Sequence, residues 1–451
     1  MVYMNERIKQ IQENPFKTFI ILSLPIIFLL FFNESYVILD TYYLSRLGNS
    51  VVVAFGYVAN MYYFINRSGK GIGKGVSSMI ARLIGAKEFE NVNNIALHGI
   101  ILIIIITILF QIIFALFGNA IIGLFVLGEE NSLIYIYLQC LAFFLLFICL
   151  SEYLVEILNG EGNTRLSTII MSIGVVLNII LDYIFIFPCN LGFLGASLGT
   201  ALAYVGTTAI FLYPYLIKNN HIVKFKLSDF NFDLAIIREI LVNAIPIILD
   251  SLVVTLSGLI LMHSLKTFAP EITVVAFIIL FRIQTFLSAP ITGLSRACNI
   301  VVGHLFGAKR FKNVMKQLNK SIYASFLING LISAILIIFL NIILAYFTNQ
   351  ADVISEVRNI LGAVIIDLII ISTILNCNQS LVAIGRSVNS FYSVIIKLIL
   401  LSTFIFISCH LFGFGKFGVL ISLILSDLIQ AFYSYITFKS FISKEETNLT
   451  N

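Results

Sequence analysis

The chain has 451 residues, of which 59% are hydrophobic and only 11% are charged. Soluble proteins carry about 25% charged residues, so this composition excludes a protein whose surface mostly faces water. The net charge of +5 does not indicate nucleic-acid binding, because the Lys and Arg residues lie between apolar runs rather than in one patch. The scattered cysteines and histidines form neither a CxxC pair nor an HExxH motif, so no zinc site is predicted.

Apolar segments of the length that spans a bilayer, about 20 residues, occur twelve times along the chain. In order, they begin near Phe16, Val51, Asn94, Leu133, Leu166, Phe193, Ile240, Thr273, Ile322, Val353, Ser390 and Phe417. The first segment continues to about Tyr43, which is too long for the core of a signal peptide, so we interpret it as a retained helix. We therefore predict an all-α integral membrane protein with twelve transmembrane helices.

The second half of the chain repeats the first. Gly85-Ala86-Lys87 is matched by Gly307-Ala308-Lys309, and the same offset places the VVAF sequence at 52–55 on the VVAF sequence at 274–277. Six helices per repeat return the chain to the side where it began, so the two repeats are parallel. We predict an N-terminal lobe at residues 1–217, a polar linker at 218–239 and a C-terminal lobe at 240–451.

The distribution of Lys and Arg predicts the orientation, since these residues favour the cytoplasmic side of a membrane. With the N-terminus in the cytoplasm, only Arg46, Lys266, Arg358 and Lys416 lie on the opposite side. We therefore predict a multi-pass protein of the cell membrane with both termini and the linker in the cytoplasm. We also expect the protein to be a monomer.

The glycine-rich run GKGIGKG at residues 69–75 superficially resembles a phosphate-binding loop. A Walker A loop needs Ser or Thr after its Gly-Lys pair, and here Gly75 follows Lys74. Small residues are instead typical of closely packed transmembrane helices, which is the interpretation we favour. Since no nucleophile–base pair or ATP-hydrolysing motif is visible, we expect neither an enzyme nor a cofactor, and transport would depend on an ion gradient.

Acidic residues inside the predicted spans are the main functional signal, because a charge at bilayer depth costs about 2.5–3.5 kcal/mol. They are Glu34, Asp40, Glu152, Glu156, Asp182, Asp250, Asp367 and Asp427. In the first span Asp40 shares a helical face with Asn33, Tyr36 and Tyr43, and in the fifth Asp182 follows Asn178 by four residues. We predict functional roles for Asp40 and Asp182, with structural hydrogen bonding as the alternative.

The last three acids of that set, Asp250, Asp367 and Asp427, lack polar companions on their own helical face. For them, the structural interpretation is favoured over the functional one.

Basic residues line one face of the second span, at Arg67, Lys70 and Lys74. Three interpretations remain open: internal ion pairs, a basic wall for an anionic substrate, or placement of the basic side chains near the cytoplasmic interface. Because unpaired buried charges are costly, we predict that at least one of the three is paired with Glu34, Glu152 or Glu156.

Several motifs, taken in their order and spacing, resemble those of the multidrug and toxic compound extrusion (MATE) transporters over nearly the whole chain. They are VILDTYYLSRLGNS around Asp40, GIGKGVSSMIARLIGAK from Gly71, NGEGNTR from Asn159, NIILD from Asn178, GFLGASLGT from Gly192 and VGHLFGAK from Val302. The resemblance implies two six-helix lobes forming a V around a central cleft. It also implies export of small organic compounds, often cationic and amphipathic, in exchange for H⁺ or Na⁺, by a protein whose other partner is the lipid bilayer.

The resemblance also implies a site in the N-terminal lobe. In one prokaryotic branch the coupling-cation or substrate site has residues that match Tyr36, Asp40, Asn178, Asp182 and Thr200 here. Of these, Asp40, Asp182, Asn178 and Thr200 are candidate ligands of Na⁺. Asn33, Glu34, Asp250 and Asp367 are secondary candidates.

Two alternatives belong to other functional classes. A lipid-linked sugar or polysaccharide flippase shares the overall helical scheme and would use the basic residues of the second span. A non-transporting membrane scaffold would give no reason for Asp40 and Asp182 to occupy costly positions beside matched polar neighbours.

Overall fold

The structure is a computed structural model that describes residues 10–125 except residue 12, residues 131–215, 222–345 and 347, and residues 350–450. Throughout these described ranges the chain forms helices and turns, with no β-strand. Nine of the described helices are long and apolar enough to cross a membrane, and two bent helix pairs raise that number to eleven. The predicted class, an all-α integral membrane protein, is confirmed.

The helices of the first half begin close to their predicted positions. They are α1 (Pro15–Ser45), α2 (Asn49–Ala86), α3 (Glu90–Phe125), α4 (Asn131–Phe143), α5 (Leu145–Gly160), α6 (Thr164–Ile186) and α7 (Gly192–Tyr213). The α4–α5 pair is a single predicted span with a bend of 60°. Helix α2 corresponds to the second of the twelve predicted spans, and it is the one predicted span that is not among these eleven. It has 38 residues, enough to span a bilayer, but it carries Arg67, Lys70 and Lys74.

The second half follows a short 3₁₀ turn at Leu227–Asp229. Its helices are α8 (Leu234–Phe268), α9 (Glu271–Leu287), α10 (Ala289–Gly307), α11 (Phe311–Ala345), α12 (Ala351–Ala383), α13 (Ser387–Ile405) and α14 (Gly415–Thr450). The α9–α10 pair is bent by 42°. Helix α11 begins at Phe311 rather than near Ile322, and α8 begins at Leu234 rather than near Ile240. Hydropathy locates only the apolar part of a helix, whereas the first turns of α11 carry Lys312, Lys316 and Lys320.

Two compact units account for the tertiary contacts. Unit 1 comprises Phe28–Ile248, and unit 2 comprises Gln10–Ile27 together with Leu249–Asn451. The first part of α1 therefore belongs to unit 2, and the first part of α8 belongs to unit 1. Each of these two helices contains a proline near the change of unit, Pro25 in α1 and Pro246 in α8. A proline removes one backbone hydrogen bond and is a common cause of helix bending.

Equivalent turns recur in the two halves and reflect the sequence repeat. Lys87 after α2 and Lys309 after α10 both have a left-handed backbone, with φ of 65° and 55°. In each case the following N–H closes the helix end, from Glu88 to the Leu83 carbonyl at 2.9 Å and from Arg310 to the Leu305 carbonyl at 3.0 Å. This geometry is the usual way to satisfy the last carbonyls of a helix, normally with glycine at the left-handed position.

The described part of the linker is fastened to unit 1 by side chains of α3 and of the turn after α5. Glu161 accepts a hydrogen bond from the Val223 N–H at 2.8 Å, and Asn93 accepts one from the Lys224 N–H at 3.1 Å. His98 Nε2 accepts a hydrogen bond from the Asp233 N–H at 3.0 Å. The linker is therefore an ordered segment that packs on unit 1 from residue 222 onward. Residues 216–221 lie outside the described ranges.

Candidate functional site

The glycine run of α2 packs two neighbouring helices in unit 1. A Cβ atom at Gly69 would lie 2.8 Å from the Cα of Cys149, and one at Gly73 would lie 3.0 Å from the Cβ of Glu156, both on α5. Gly75, two residues after Gly73, faces α8 instead, where a Cβ atom would lie 3.2 Å from the Ile240 carbonyl oxygen. The glycines thus allow close helix contact on both sides, as the packing interpretation predicts.

Asp40 and Asp182 lie together in the interior of unit 1. They are only 5% and 1% exposed, and they are close enough for their charges to interact. Helix α1 places Tyr36 one turn before Asp40, where the two side chains interact. The two helices that supply the carboxylates, α1 and α6, therefore bring together residues separated by 142 positions.

Asn178 and Thr200 complete this cluster. The Asn178 Nδ2 atom donates to Asp182 Oδ1 at 3.0 Å and to Thr200 Oγ1 at 3.4 Å, which joins α6 to α7. Asp182 Oδ2 is buried and accepts no hydrogen bond from the described residues. Since a buried polar oxygen without a partner is unfavourable, this atom fits a site for a proton or a cation. All five residues implied by the resemblance, Tyr36, Asp40, Asn178, Asp182 and Thr200, thus lie in one cluster.

Tyr137 also contributes to the cluster, and the sequence interpretation missed it. It lies on α4, is 3% exposed and interacts with Thr200 and with the carboxylates of Asp40 and Asp182. Its ring packs on Phe193, with centroids 4.6 Å apart. Nothing in the local pattern distinguishes this tyrosine from Tyr135 two residues earlier.

The secondary candidates of the first span are placed less clearly. Asn33 is half-buried on α1, and the side chain of Glu34 lies outside the described part of the structure. Tyr43, one turn after Asp40, packs between Tyr183 and Phe187 of unit 1, with ring centroids 6.1 Å and 5.9 Å away. The polar face of α1 thus ends in an aromatic cluster near the end of α6.

The basic face of α2 meets an acid of α5. Lys70 Nζ lies 3.6 Å from Glu152 Oε2, and Asn66 Nδ2 donates to Glu152 Oε1 at 3.2 Å. The Tyr62 hydroxyl donates to the Tyr204 hydroxyl of α7 at 2.7 Å, and Asn66 also reaches that hydroxyl. The prediction that at least one of the three basic residues is paired with an acid is confirmed for Lys70.

The acids of the second half fall into two groups. Asp250 is half-buried on α8. Asp367 on α12 and Asp427 on α14 are both buried in unit 2, where Asp427 pairs with Lys397 of α13. The sequence interpretation considered only companions on the same helical face, whereas Asp367 and Asp427 have polar companions on other helices, Gln284 and Lys397.

Comparisons with known proteins extend over most of the chain. The family model described as MatE matches residues 25–184 and again 246–407. The multidrug export protein MepA of Staphylococcus aureus (strain MSSA476) is 27% identical over 434 residues, which cover 95% of this chain and 94% of MepA.

Solved structures of other proteins also match over nearly the whole length of the chain. A multidrug resistance MATE family transporter of the MOP superfamily in an outward-facing conformation has a TM-score of 0.89 at 25% identity, covering 97% of this chain and 98% of that one. A MOP superfamily transporter from Pyrococcus furiosus Vc1 (DSM3638) has a TM-score of 0.90 at 25% identity with the same coverage. For that transporter, a binding pocket of reverse polarity suggests a different function.

Proposed function

The chain belongs to the MatE family, and from that premise we propose that it is a secondary active efflux transporter that exports organic, drug-like compounds in exchange for H⁺ or Na⁺. The name of the similar MepA protein, a multidrug export protein, supports this class of substrate. The observation that carries the proposal is the buried pair Asp40 and Asp182 with its polar neighbours.

The proposed coupling step follows from the cost of burying two like charges. With both carboxylates ionised, unit 1 would hold two interacting negative charges in an apolar interior, which is strongly unfavourable. A proton shared by the pair, or a Na⁺ ion held by it, relieves that repulsion. Occupancy of Asp40 and Asp182 would therefore stabilise the arrangement in which they are buried and close to each other.

Both candidate ions find suitable groups in the cluster. The oxygens of Asp40, Asp182 and Thr200 and the side-chain carbonyl of Asn178 form the hard, all-oxygen donor set that an alkali cation prefers. The same pair of carboxylates suits a proton, because Asp182 Oδ2 is buried and has no hydrogen-bond partner in the part of the chain that the structure describes. A bound ion shifts a conformational equilibrium only by its differential affinity for the two states, so the ion must bind the buried arrangement more tightly.

The basic face of α2 bears on the charge of the substrate. Glu152 pairs with Lys70 and so offsets one of the positive charges on the basic face of α2. This pairing favours a drug exporter over a carrier of anionic, lipid-linked sugars. Export of anionic compounds is the alternative outcome of substrate assays, since the binding pocket of one solved relative has reverse polarity.

The test is efflux of cationic dyes and of anionic compounds from energised membrane vesicles, with the H⁺ and Na⁺ gradients collapsed separately. We expect efflux of the cations to stop when one of the two gradients is removed. Asp40→Asn should abolish gradient-driven efflux while part of the substrate binding survives, and Glu90→Gln, at an exposed acid of α3, should behave as wild type. Wild-type efflux by Asp40→Asn, with the same ion dependence, would exclude Asp40 as the coupling residue.

A further inference from the structure

A basic stripe lies on the exposed face of α11 in unit 2. Lys312, Lys316 and Lys320 follow one another at intervals of four residues, so their side chains lie on one side of the helix. All three residues are exposed, and the Lys312 side chain is 89% exposed. At a rise of about 1.5 Å per residue, the stripe is about 12 Å long. Three positive charges therefore stand in a row along the first turns of this helix.

The same face of α11 becomes apolar directly after Lys320. Tyr323, Leu327 and Leu331 continue the stripe at intervals of three and four residues, and they are 64%, 58% and 63% exposed. In a membrane-spanning helix, exposed apolar residues of this kind face the lipid chains. Tyrosine is typical of the boundary between the hydrocarbon core and the headgroups, and lysine near a helix end extends to the same level. Lys320 therefore lies at that boundary, and the other two lysines lie farther out, among the headgroups.

Neighbouring side chains leave most of this positive charge uncompensated. Among the described residues, the one ion pair along the stripe joins Lys312 to Glu446 of α14, at 3.9 Å and with a glutamate side chain that is 40% exposed. Lys320 Nζ lies 5.2 Å from the ring centroid of Phe16 in α1, a contact that orients the ammonium group without cancelling its charge. The stripe thus keeps a net positive charge even when Glu446 is counted.

The first repeat provides a comparison, because its α3 is the counterpart of α11. The offset that defines the sequence repeat places the three lysines on Glu90, Asn94 and His98 of α3. Asn94 Oδ1 accepts a hydrogen bond from the Asn231 N–H at 3.0 Å, and His98 Nε2 accepts one from the Asp233 N–H. The linker therefore covers this face of α3, where His98 is fully buried, whereas the equivalent face of α11 is exposed.

The lysines of α11 call for a partner of different chemistry from the linker. The linker presents backbone N–H groups, which need acceptors, whereas an ammonium group only donates hydrogen bonds. The partner of the stripe must therefore present acceptor atoms, and a negative charge complements the three lysines. Because the stripe continues into an apolar face, the partner also needs an apolar part that lies against Tyr323 and Leu327. A phospholipid with an anionic headgroup has both parts, and basic clusters beside a membrane span attract such lipids.

We infer that the basic stripe of α11 binds the headgroup of an anionic phospholipid, whose acyl chains lie along the apolar face that follows. The ammonium groups donate to the phosphate oxygens, and the lipid closes the face that the linker covers in the first repeat. An acidic peptide is a less suitable partner, because it would leave the apolar part of the face unused. The inference concerns a surface of unit 2 and does not depend on the proposed efflux activity.

The experiment is native mass spectrometry of the full-length protein in detergent micelles, titrated with phosphatidylglycerol or phosphatidylcholine of identical acyl chains. We expect the wild type to bind phosphatidylglycerol at least tenfold more tightly than phosphatidylcholine. The triple variant Lys312→Gln, Lys316→Gln and Lys320→Gln should lose that preference, since each basic residue near an anionic surface contributes about fivefold. Arginine at the same three positions should retain it, because the charge is kept. An unchanged preference in the glutamine variant would overturn the inference.

A second triple variant controls for net charge. Lys87→Gln, Lys226→Gln and Lys266→Gln remove three exposed lysines from separate parts of the chain, and they should leave the preference unchanged. Glu446→Gln should strengthen the binding of phosphatidylglycerol, since it removes the acid beside Lys312. An equal loss in both triple variants would overturn the inference, because total charge rather than the stripe would then bind the lipid. Displacement of phosphatidylglycerol by an equal concentration of glycerol phosphate or of a polyglutamate peptide would also overturn it, since the acyl chains would then contribute nothing.

Discussion

Gly199 shows how a single missing side chain positions the candidate site. A Cβ atom there would collide with Asp182 Oδ1 and would lie 2.8 Å from the Asp182 backbone nitrogen and 3.1 Å from its Cα. Backbone atoms cannot rotate away as a side chain can, so α6 and α7 would have to separate. Gly199 thus holds α7 close enough for Thr200 to reach Asn178.

We therefore predict that Gly199→Ala lowers gradient-driven efflux by at least about tenfold, equivalent to about 1.4 kcal/mol. Overpacking of this kind costs about 1–3 kcal/mol, so much of the protein should still fold. Gly206→Ala on the same helix is the matched control, since its Cβ would meet only the side-chain Cδ1 of Leu177 at 3.4 Å. Equal efflux by the two variants, in vesicles with equal protein content, would contradict this role.

At the scale of elements, Glu356 joins three helices of unit 2. It accepts hydrogen bonds from Lys416 of α14 at 2.7 Å and 2.9 Å, and from Thr273 of α9 at 2.6 Å. The glutamate side chain is 9% exposed and the lysine side chain 23%. This burial distinguishes the pair from Lys312–Glu446, which is 3.9 Å apart with a lysine that is 89% exposed.

Lys416→Met should lower the free energy of unfolding by about 2 kcal/mol, because it leaves a largely buried carboxylate without its counter-charge. Lys312→Met should change it by less than about 0.5 kcal/mol, since exposed ion pairs contribute little. Thermal unfolding of both variants in the same detergent measures the difference. The double variant Lys416→Met with Glu356→Gln should recover part of the loss, and a double variant less stable than Lys416→Met would refute the ion-pair explanation.

The linker is attached through His98, both of whose ring nitrogens are engaged. Nε2 accepts from the Asp233 N–H, so Nδ1 carries the proton that it donates to the Asn94 carbonyl at 2.8 Å. The ring also packs on Phe230, with centroids 4.9 Å apart. Nearby, hydrogen bonds from Asn93 and Ser228 hold the pKa of Asp229 below its ordinary value. The hydrogen bond from Asn93 to the Asp229 carboxylate is therefore present at neutral pH and is lost as pH falls through the lowered pKa of Asp229.

His98→Leu removes the acceptor of the Asp233 N–H. Leaving a buried donor without a partner costs about 1–3 kcal/mol. We expect the linker to open locally more often, so that chymotrypsin cleaves after Phe230 or Phe232 about tenfold faster. His263→Leu, at an exposed histidine of α8, is the control. Cleavage rates that match in the two variants would show that His98 does not fasten the linker.

At the scale of the whole molecule, the distribution of Lys and Arg predicts that both termini are cytoplasmic. Helix α14 extends to Thr450 with Asn448 exposed, and the turn between α6 and α7 contains the exposed Cys189. The predicted orientation places these two positions on opposite sides of the membrane. Of the six native cysteines, four are buried and one is half-buried, which leaves Cys189 as the internal reference.

An impermeant maleimide added to intact cells should label the native Cys189. In a Cys189→Ser background, Asn448→Cys should react only after the membrane is permeabilised. Labelling of Asn448→Cys in intact cells, together with failure of the native Cys189 to be labelled in the parent protein, would contradict the predicted orientation.

The sequence by itself determined the features that depend on composition and on neighbours along one helix. A low content of charge requires a lipid-facing surface, and runs of about 20 apolar residues locate the spans. The pairing of Asn178 with Asp182, and of Tyr36 with Asp40, follows from a spacing of four residues on a helix. The repeat is visible in the sequence because Gly-Ala-Lys recurs at a constant offset. In the structure this motif ends two equivalent helices with the same backbone turn.

Only the tertiary structure decided which residues of different helices meet. Tyr137 joins the Asp40 cluster, Gly199 lies against Asp182, and Lys397 balances Asp427, each across separate spans. A helix that is apolar on all sides has no polar stripe to reveal which face turns inward. The rotation of each span about its axis is set by packing against its neighbours, so the partners of Asp367 could not be deduced from its own helix.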